Sequence, residues 1–233
     1  MKVSPSKINR FYQCPFSFKC HYLEKRRPIK TIESYLFGSM VHDIIPIYYD
    51  NLTSLSNIEE SITTAFDEGA DWRLKKRKTA LRKVQANFKS FEKKRIKDKI
   101  NLPSFTERKL TSELFPGIII EGIIDAYWNE GFWVDWKTGK HEEMNDSRKI
   151  QGKIYELLLK SNDYPVKEGY FVNLYKGVTL KLPKVSEAWV ETKIRGILEA
   201  KTYPKKKSLL CEGWCQYKLD CDLDSKSLWS HVI

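Results

Sequence analysis

A chain of 233 residues has room for one ordinary globular domain, and 41% hydrophobic with 13% aromatic residues supplies a core, which excludes wholesale disorder. No apolar run approaches the roughly 18 residues of a membrane span, and no apolar signal core follows Met1-Lys2-Val3-Ser4-Pro5, so a cytoplasmic protein without a membrane partner is expected (host-cell cytoplasm if viral). The net charge is +11, and thirteen basic residues fall between Arg73 and Lys99 against only Glu92 and Asp98. An excess held in one segment points to a polyanion partner, the alternative being a solvated helix face.

In chain order, Ser4-Pro5-Ser6 opens a helical stretch to about Glu24. A second helix runs from Tyr35 to Asn51, begun by Gly38-Ser39 and interrupted or kinked at Pro46. Ile58 to Lys99 reads as helical, with Leu74, Leu81, Val84, Phe88 and Phe91 on one apolar stripe and basic residues over most of the remaining circumference. After Pro103 the pattern turns to strands: Phe105–Leu114, Gly117–Trp128 and, across Asn129-Glu130-Gly131, Phe132–Thr138. A helix from Ser147 to Lys160, a hairpin of Gly169–Tyr175 with Val178–Leu182, and a helix from Ser186 to Ala200 complete the order. The expected class is α/β, a central mixed β-sheet flanked by helices.

Two aspartates in apolar strands carry the chemistry. Asp is disfavoured in strands, yet Asp125 and Asp135 sit in flanking Ile- and Trp-rich runs. A three-residue turn pairs Trp128 with Phe132 and sets Asp125 opposite Asp135; a two-residue turn slips the register by one. Facing carboxylates repel unless a hard cation such as Mg²⁺ lies between them. Lys137, two residues after Asp135, shares its face and can act on water or a phosphoryl oxygen.

These residues belong to a longer pattern. Ser4-Pro-Ser-Lys-Ile-Asn-Arg-Phe-Tyr-Gln-Cys14-Pro15, Gly38-Ser-Met-Val-His42, Gly122-Ile-Ile-Asp125, Asp135-Trp-Lys137-Thr-Gly139 and Gln151-Gly-Lys-Ile-Tyr155 occur in that order. Together they resemble the RecB-like branch of the PD-(D/E)XK nucleases, close to the CRISPR-associated iron–sulfur exonucleases. The resemblance implies a restriction-endonuclease-like core holding Mg²⁺ or Mn²⁺ on His42, Asp125, Asp135 and the main-chain carbonyl of Trp136. Lys137 is then the catalytic lysine, with Gln151 and Tyr155, four apart on one helix face, beside substrate or bracing the site. Glu107 is a candidate outer-shell acid. The activity implied is metal-dependent DNA exonucleolysis, favouring free single-stranded ends. A non-catalytic DNA-binding or assembly subunit and a structure-specific endonuclease are the alternatives. CRISPR adaptation, repair and viral or phage settings all fit, as do a homo-oligomer and a larger DNA-processing complex.

Cys211, Cys215 and Cys221 cluster near one end and Cys14 and Cys20 near the other. Composition permits a four-cysteine zinc site or an iron–sulfur cluster. The resemblance implies a 4Fe-4S cluster on Cys14, Cys211, Cys215 and Cys221, stapling the termini, with Cys20 spare. The family's first gap in the trio is two residues where this chain has three, which keeps Zn²⁺ as the alternative. Residues 1–233 are thus expected to form one nuclease domain. Within it lie a basic helical insertion (55–100), a catalytic core (102–200) and a cysteine region (1–24 with 205–233). Lys75, Lys76, Arg77, Lys78, Arg82 and Lys83 of the insertion are the expected DNA contacts, and the insertion is placed as a cover or gate for single strands.

Overall fold

Strand-forming runs after Pro103 fold into a five-stranded mixed sheet in the order β1-β2-β3-β4-β5, antiparallel throughout except for the parallel β3–β4 pair. The computed structural model describes residues 2–28, 33–52, 57–70, 77–140, 142–207, 211 and 215–221. Among these, the helices are α1 (Pro5–Gln13), α2 (Pro15–Phe18), α3 (Glu33–Asn51), α4 (Ile58–Gly69), α5 (Lys78–Lys97), α6 (Asp146–Ser161) and α7 (Glu187–Leu198). The strands are β1 (Phe105–Phe115), β2 (Ile118–Trp128), β3 (Phe132–Lys137), β4 (Glu168–Asn173) and β5 (Val178–Lys181). No helix among the described residues is long and apolar enough to cross a membrane. The chain divides into two units, residues 33–185 and residues 1–32 with 186–233.

In the unit made from the two ends, Ser4 caps α1 by accepting the Lys7 N–H, and Ser186 caps α7 by accepting that of Trp189. The helix expected from Ser6 to Glu24 is broken at Cys14, which is extended (φ −161°, ψ 105°). Pro15 is the cause, because its ring disfavours helical geometry in the preceding residue. The chain resumes as α2 and a wider π-type turn over Lys19–Leu23. Ile8, Phe11, Phe18, Val190, Ile194 and Ile197 are buried and form the apolar interior of this unit.

In the other unit, α3 begins at Glu33, so Gly38-Ser39 lies inside it rather than at its start, and Pro46 is accommodated without ending it. The single helix expected over Ile58–Lys99 is two, α4 and α5; Leu74, Lys75 and Lys76 lie outside the described residues. The apolar stripe of α5 does turn inward, with Val84 and Phe88 buried and Leu81 and Phe91 half-buried. Phe88 and Phe91 pack edge-on against Trp136 at 5.7 and 5.0 Å. Arg95, read as part of the outer basic face, is instead buried beside Glu92. Glu92 accepts hydrogen bonds from Tyr48 and Tyr49 of α3, both at 2.8 Å, and is bracketed by the Arg95 guanidinium. A charge inside the core is tolerable only with such complete pairing.

Helix α6 covers the other face of the sheet. Gly122 permits its approach: a Cβ there would stand 2.8 Å from Leu158 Cδ1 and 3.4 Å from the Tyr155 ring. The β2–β3 turn is the three-residue one, with Trp128 opposite Phe132.

Candidate active site

Strand alternation reverses once where the site is built. Gly122 faces α6, and so does Tyr127, because its cross-strand partner Trp133 lies 5.4 Å from the Tyr155 ring. Residues five apart share a face only if the period slips between them. The slip falls at Asp125 and Glu107: Thr106 pairs with Ala126 and Arg108 with Ile124, and the ladder skips the two acids between. Glu107 takes a left-handed conformation, φ +44°, which costs a residue with a Cβ about 1–3 kcal/mol and occurs where function over-determines the backbone. The β2–β3 ladder likewise ends at Ala126–Val134. Beyond it, Asp125 Oδ2 accepts the Trp136 N–H at 2.8 Å, so a side chain replaces a strand partner.

His42, midway along α3, meets this break. Its Nδ1 is 3.0 Å from Glu107 Oε1 and 3.4 Å from Asp125 Oδ2, while its Nε2 is 3.1 Å from the carbonyl oxygen of Trp136. The Glu107 carboxylate and the Trp136 carbonyl accept, so in the metal-free protein both ring nitrogens donate and His42 is an imidazolium. Burial alone would lower its pKa, but the Asp125 charge and the Glu107 hydrogen bond outweigh that and raise it to about 9. Burial and the neighbouring Asp135 charge push the Asp125 carboxyl well above the usual range.

Asp135 completes the acidic set from β3. Gln151 Nε2 donates to its Oδ1 at 2.7 Å and to the Tyr155 hydroxyl at 2.8 Å. Lys137 Nζ lies 2.5 Å from Oδ2 as an ion pair, on the face that the i, i+2 spacing predicts; no directed hydrogen bond reaches that buried oxygen. Tyr155 is buried, and burial with the Asp135 and Asp125 charges keeps its phenol protonated. Gln151 and Tyr155 thus brace Asp135. Glu107 stands directly against His42, and its sequence signal was only an acid in the strand before the aspartate hairpin.

His42, Glu107 and Asp125 bring ligand atoms within 4.8 Å of one another. One imidazole nitrogen with carboxylate and carbonyl oxygens is a donor set suited to Mg²⁺ or Mn²⁺. Asp135 is not one of that trio, and its Oδ2 faces the Lys137 ammonium.

Of the expected DNA contacts, Lys78, Arg82 and Lys83 are exposed on the first turns of α5, and Arg77 just before it pairs with Glu33 at 3.5 Å. In the unit of the two ends, burial raises the Cys215 pKa, and the thiols of Cys211, Cys14 and Cys221 raise it further. Cys20 instead neighbours Arg26, Glu24, Asp220 and Lys19.

The model of the PD-(D/E)XK nuclease superfamily matches residues 2–222. In fold the chain is similar to a Eubacterium rectale protein described as a candidate exonuclease, with a TM-score of 0.53 and 15% identity over 84% of this chain and 77% of that one. It is also similar to the protein SSO0001, with a TM-score of 0.48 and 12% identity over 94% and 85% of the two chains. No curated protein matches it in sequence.

Proposed function

Because the chain belongs to the PD-(D/E)XK nuclease superfamily, we propose that this nuclease is a divalent-metal-dependent deoxyribonuclease that shortens DNA from single-stranded ends. The observation that carries the reading is the His42–Glu107–Asp125 cluster beside the Asp135–Lys137 pair. His42, Glu107, Asp125, Asp135 and the Trp136 carbonyl would hold the ion, which supplies Lewis acidity to the scissile phosphate and the attacking water. Lys137 directs its ammonium at the nucleophile or at charge growing on a phosphoryl oxygen. Gln151, anchored on Tyr155, keeps Asp135 in the orientation that leaves Oδ2 toward Lys137. Lys78, Arg82 and Lys83 attract the phosphate backbone without reading sequence.

The cysteines support a second element of the proposal. Cys14, Cys211, Cys215 and Cys221 would hold one four-thiolate centre on the chain ends; the clustering of the last three and the place of Cys14 before Pro15 support it, and Cys14, Cys211 and Cys221 each help raise the Cys215 pKa. A 4Fe-4S cluster there would make the protein similar to the CRISPR-associated iron–sulfur exonucleases, with Zn²⁺ the alternative occupant.

The test is incubation of anaerobically purified protein with end-labelled single-stranded DNA and Mn²⁺, beside Asp135→Ala. Progressive shortening by the wild type alone is expected, and the labelled end that disappears first gives the polarity. DNA binding without cleavage by either protein would overturn the catalytic reading in favour of a non-catalytic DNA-binding subunit.

A further inference from the structure

The unit built from residues 1–32 and 186–233 carries a surface that the metal site does not use. Lys193 of α7 lies over the Tyr12 ring at 4.8 Å and over the Trp189 ring at 5.8 Å. The Tyr12 hydroxyl donates to the Lys193 carbonyl oxygen at 2.9 Å, which fixes α1 and α7 at this spot. Beside them the segment at 204–206 returns along α1 and α2: the Phe16 N–H donates to the Pro204 carbonyl, Lys205 sits 5.3 Å from the Phe16 ring, and Lys206 donates to the Tyr12 carbonyl at 3.0 Å. Tyr12, Phe16 and Trp189 are all half-buried. Three cation–ring contacts thus meet on neighbouring turns of one small unit.

The chemistry of that juxtaposition selects its partner. Lysines resting on rings carry positive charge that a phosphate chain can engage, while half-buried aromatic residues beside them offer stacking partners for bases. A partner that supplies both a spaced anionic backbone and flat aromatic groups is a single-stranded nucleic acid. A duplex hides its bases, and an acidic peptide offers charge without the stacking planes. We propose that Tyr12, Phe16 and Trp189 with Lys193, Lys205 and Lys206 form a binding surface for single-stranded nucleic acid, held on the terminal unit and independent of the metal site. The inference deepens the proposed nuclease activity by naming a strand-holding element outside the basic helix α5.

The surface is tested on the full chain by fluorescence anisotropy in EDTA, so that cleavage plays no part. An oligothymidylate is compared with an abasic oligonucleotide of the same length. The wild type is expected to bind the thymidylate about tenfold more tightly than the abasic strand. Trp189→Leu should remove most of that difference and Trp189→Tyr should keep it. Lys193→Gln with Lys206→Gln should flatten the logarithmic salt dependence by about 0.7 for each lysine removed. Equal affinity for the two strands, or an unchanged preference in a Trp189→Leu protein of normal circular dichroism, would overturn the proposal. So would equal binding of polyglutamate, which would mark a general polyanion site. Loss of cleavage with the base preference intact would instead strike only the nuclease reading.

Discussion

Gln151 donates a 2.7 Å hydrogen bond to Oδ1 of Asp135, and it is the group that leaves the second carboxylate oxygen to Lys137. Supporting bonds of this type typically tune metal affinity or activity by 10–100-fold. Gln151→Ala should therefore lower the rate of single-strand hydrolysis by about 10–100-fold, while the thermal midpoint stays near that of the wild type. Lys137→Met should abolish hydrolysis at saturating Mn²⁺. Retained activity in Lys137→Met would remove the lysine from the reaction.

Glu107 pays for its position with a left-handed backbone, and that cost makes sense if its carboxylate holds the ion. Glu107→Gln keeps the shape and loses the charge, so Mn²⁺ affinity by calorimetry should fall by about tenfold or more. The rise in melting temperature on adding Mn²⁺ should shrink with it. Unaltered affinity would return Glu107 to the outer shell.

The His42 imidazolium sets a pH dependence for the metal-free protein. Its folded pKa, about 9, lies above the unfolded value, so its contribution to stability is complete below the ordinary histidine range and is lost as pH rises through about 9. In EDTA the melting temperature should fall from pH 7 to about 9.5, and His42→Asn should flatten that slope. A rising or level wild-type profile would contradict the assignment.

Glu92 and Arg95 form a buried pair that ties α5 to Tyr48 and Tyr49 of α3, the helix that also carries His42. Glu92→Gln strands the guanidinium in the core and should cost about 3–5 kcal/mol in denaturant unfolding. The double change Glu92→Leu with Arg95→Met should cost less than the single one, because no charge is left unpaired.

The proposed four-thiolate centre uses Cys14 and leaves out Cys20. After anaerobic purification, Cys14→Ser should lose the visible charge-transfer absorbance of an iron–sulfur cluster and the protease resistance of the chain ends, whereas Cys20→Ser should keep both. Bound zinc without that absorbance in the wild type would select the alternative metal.

Much of this site is local in origin and was legible from spacing. Lys137 joins Asp135 because residues two apart on a strand share a face, and Gln151 meets Tyr155 because residues four apart on a helix do. Asn129-Glu130-Gly131 set the hairpin register as a three-residue turn must. The break in α1 at Cys14 was equally local, since Pro15 follows it, and a straight helical reading passed over it. What spacing could not convey were the encounters between distant segments. Strict alternation says nothing of the slip at Asp125, because the slip is stabilised by His42 arriving from α3 and by Glu107 turning through a positive φ on β1. Arg95 looks like any basic residue of a solvated helix until Glu92, held in the core by the Tyr48 and Tyr49 hydroxyls, and the carbonyls of Ile100 and Asn101 accept from its guanidinium. Backbone geometry dictates neighbours a few residues apart. Which buried charges find partners across the chain depends on how desolvation is compensated when helices and sheet close on one another.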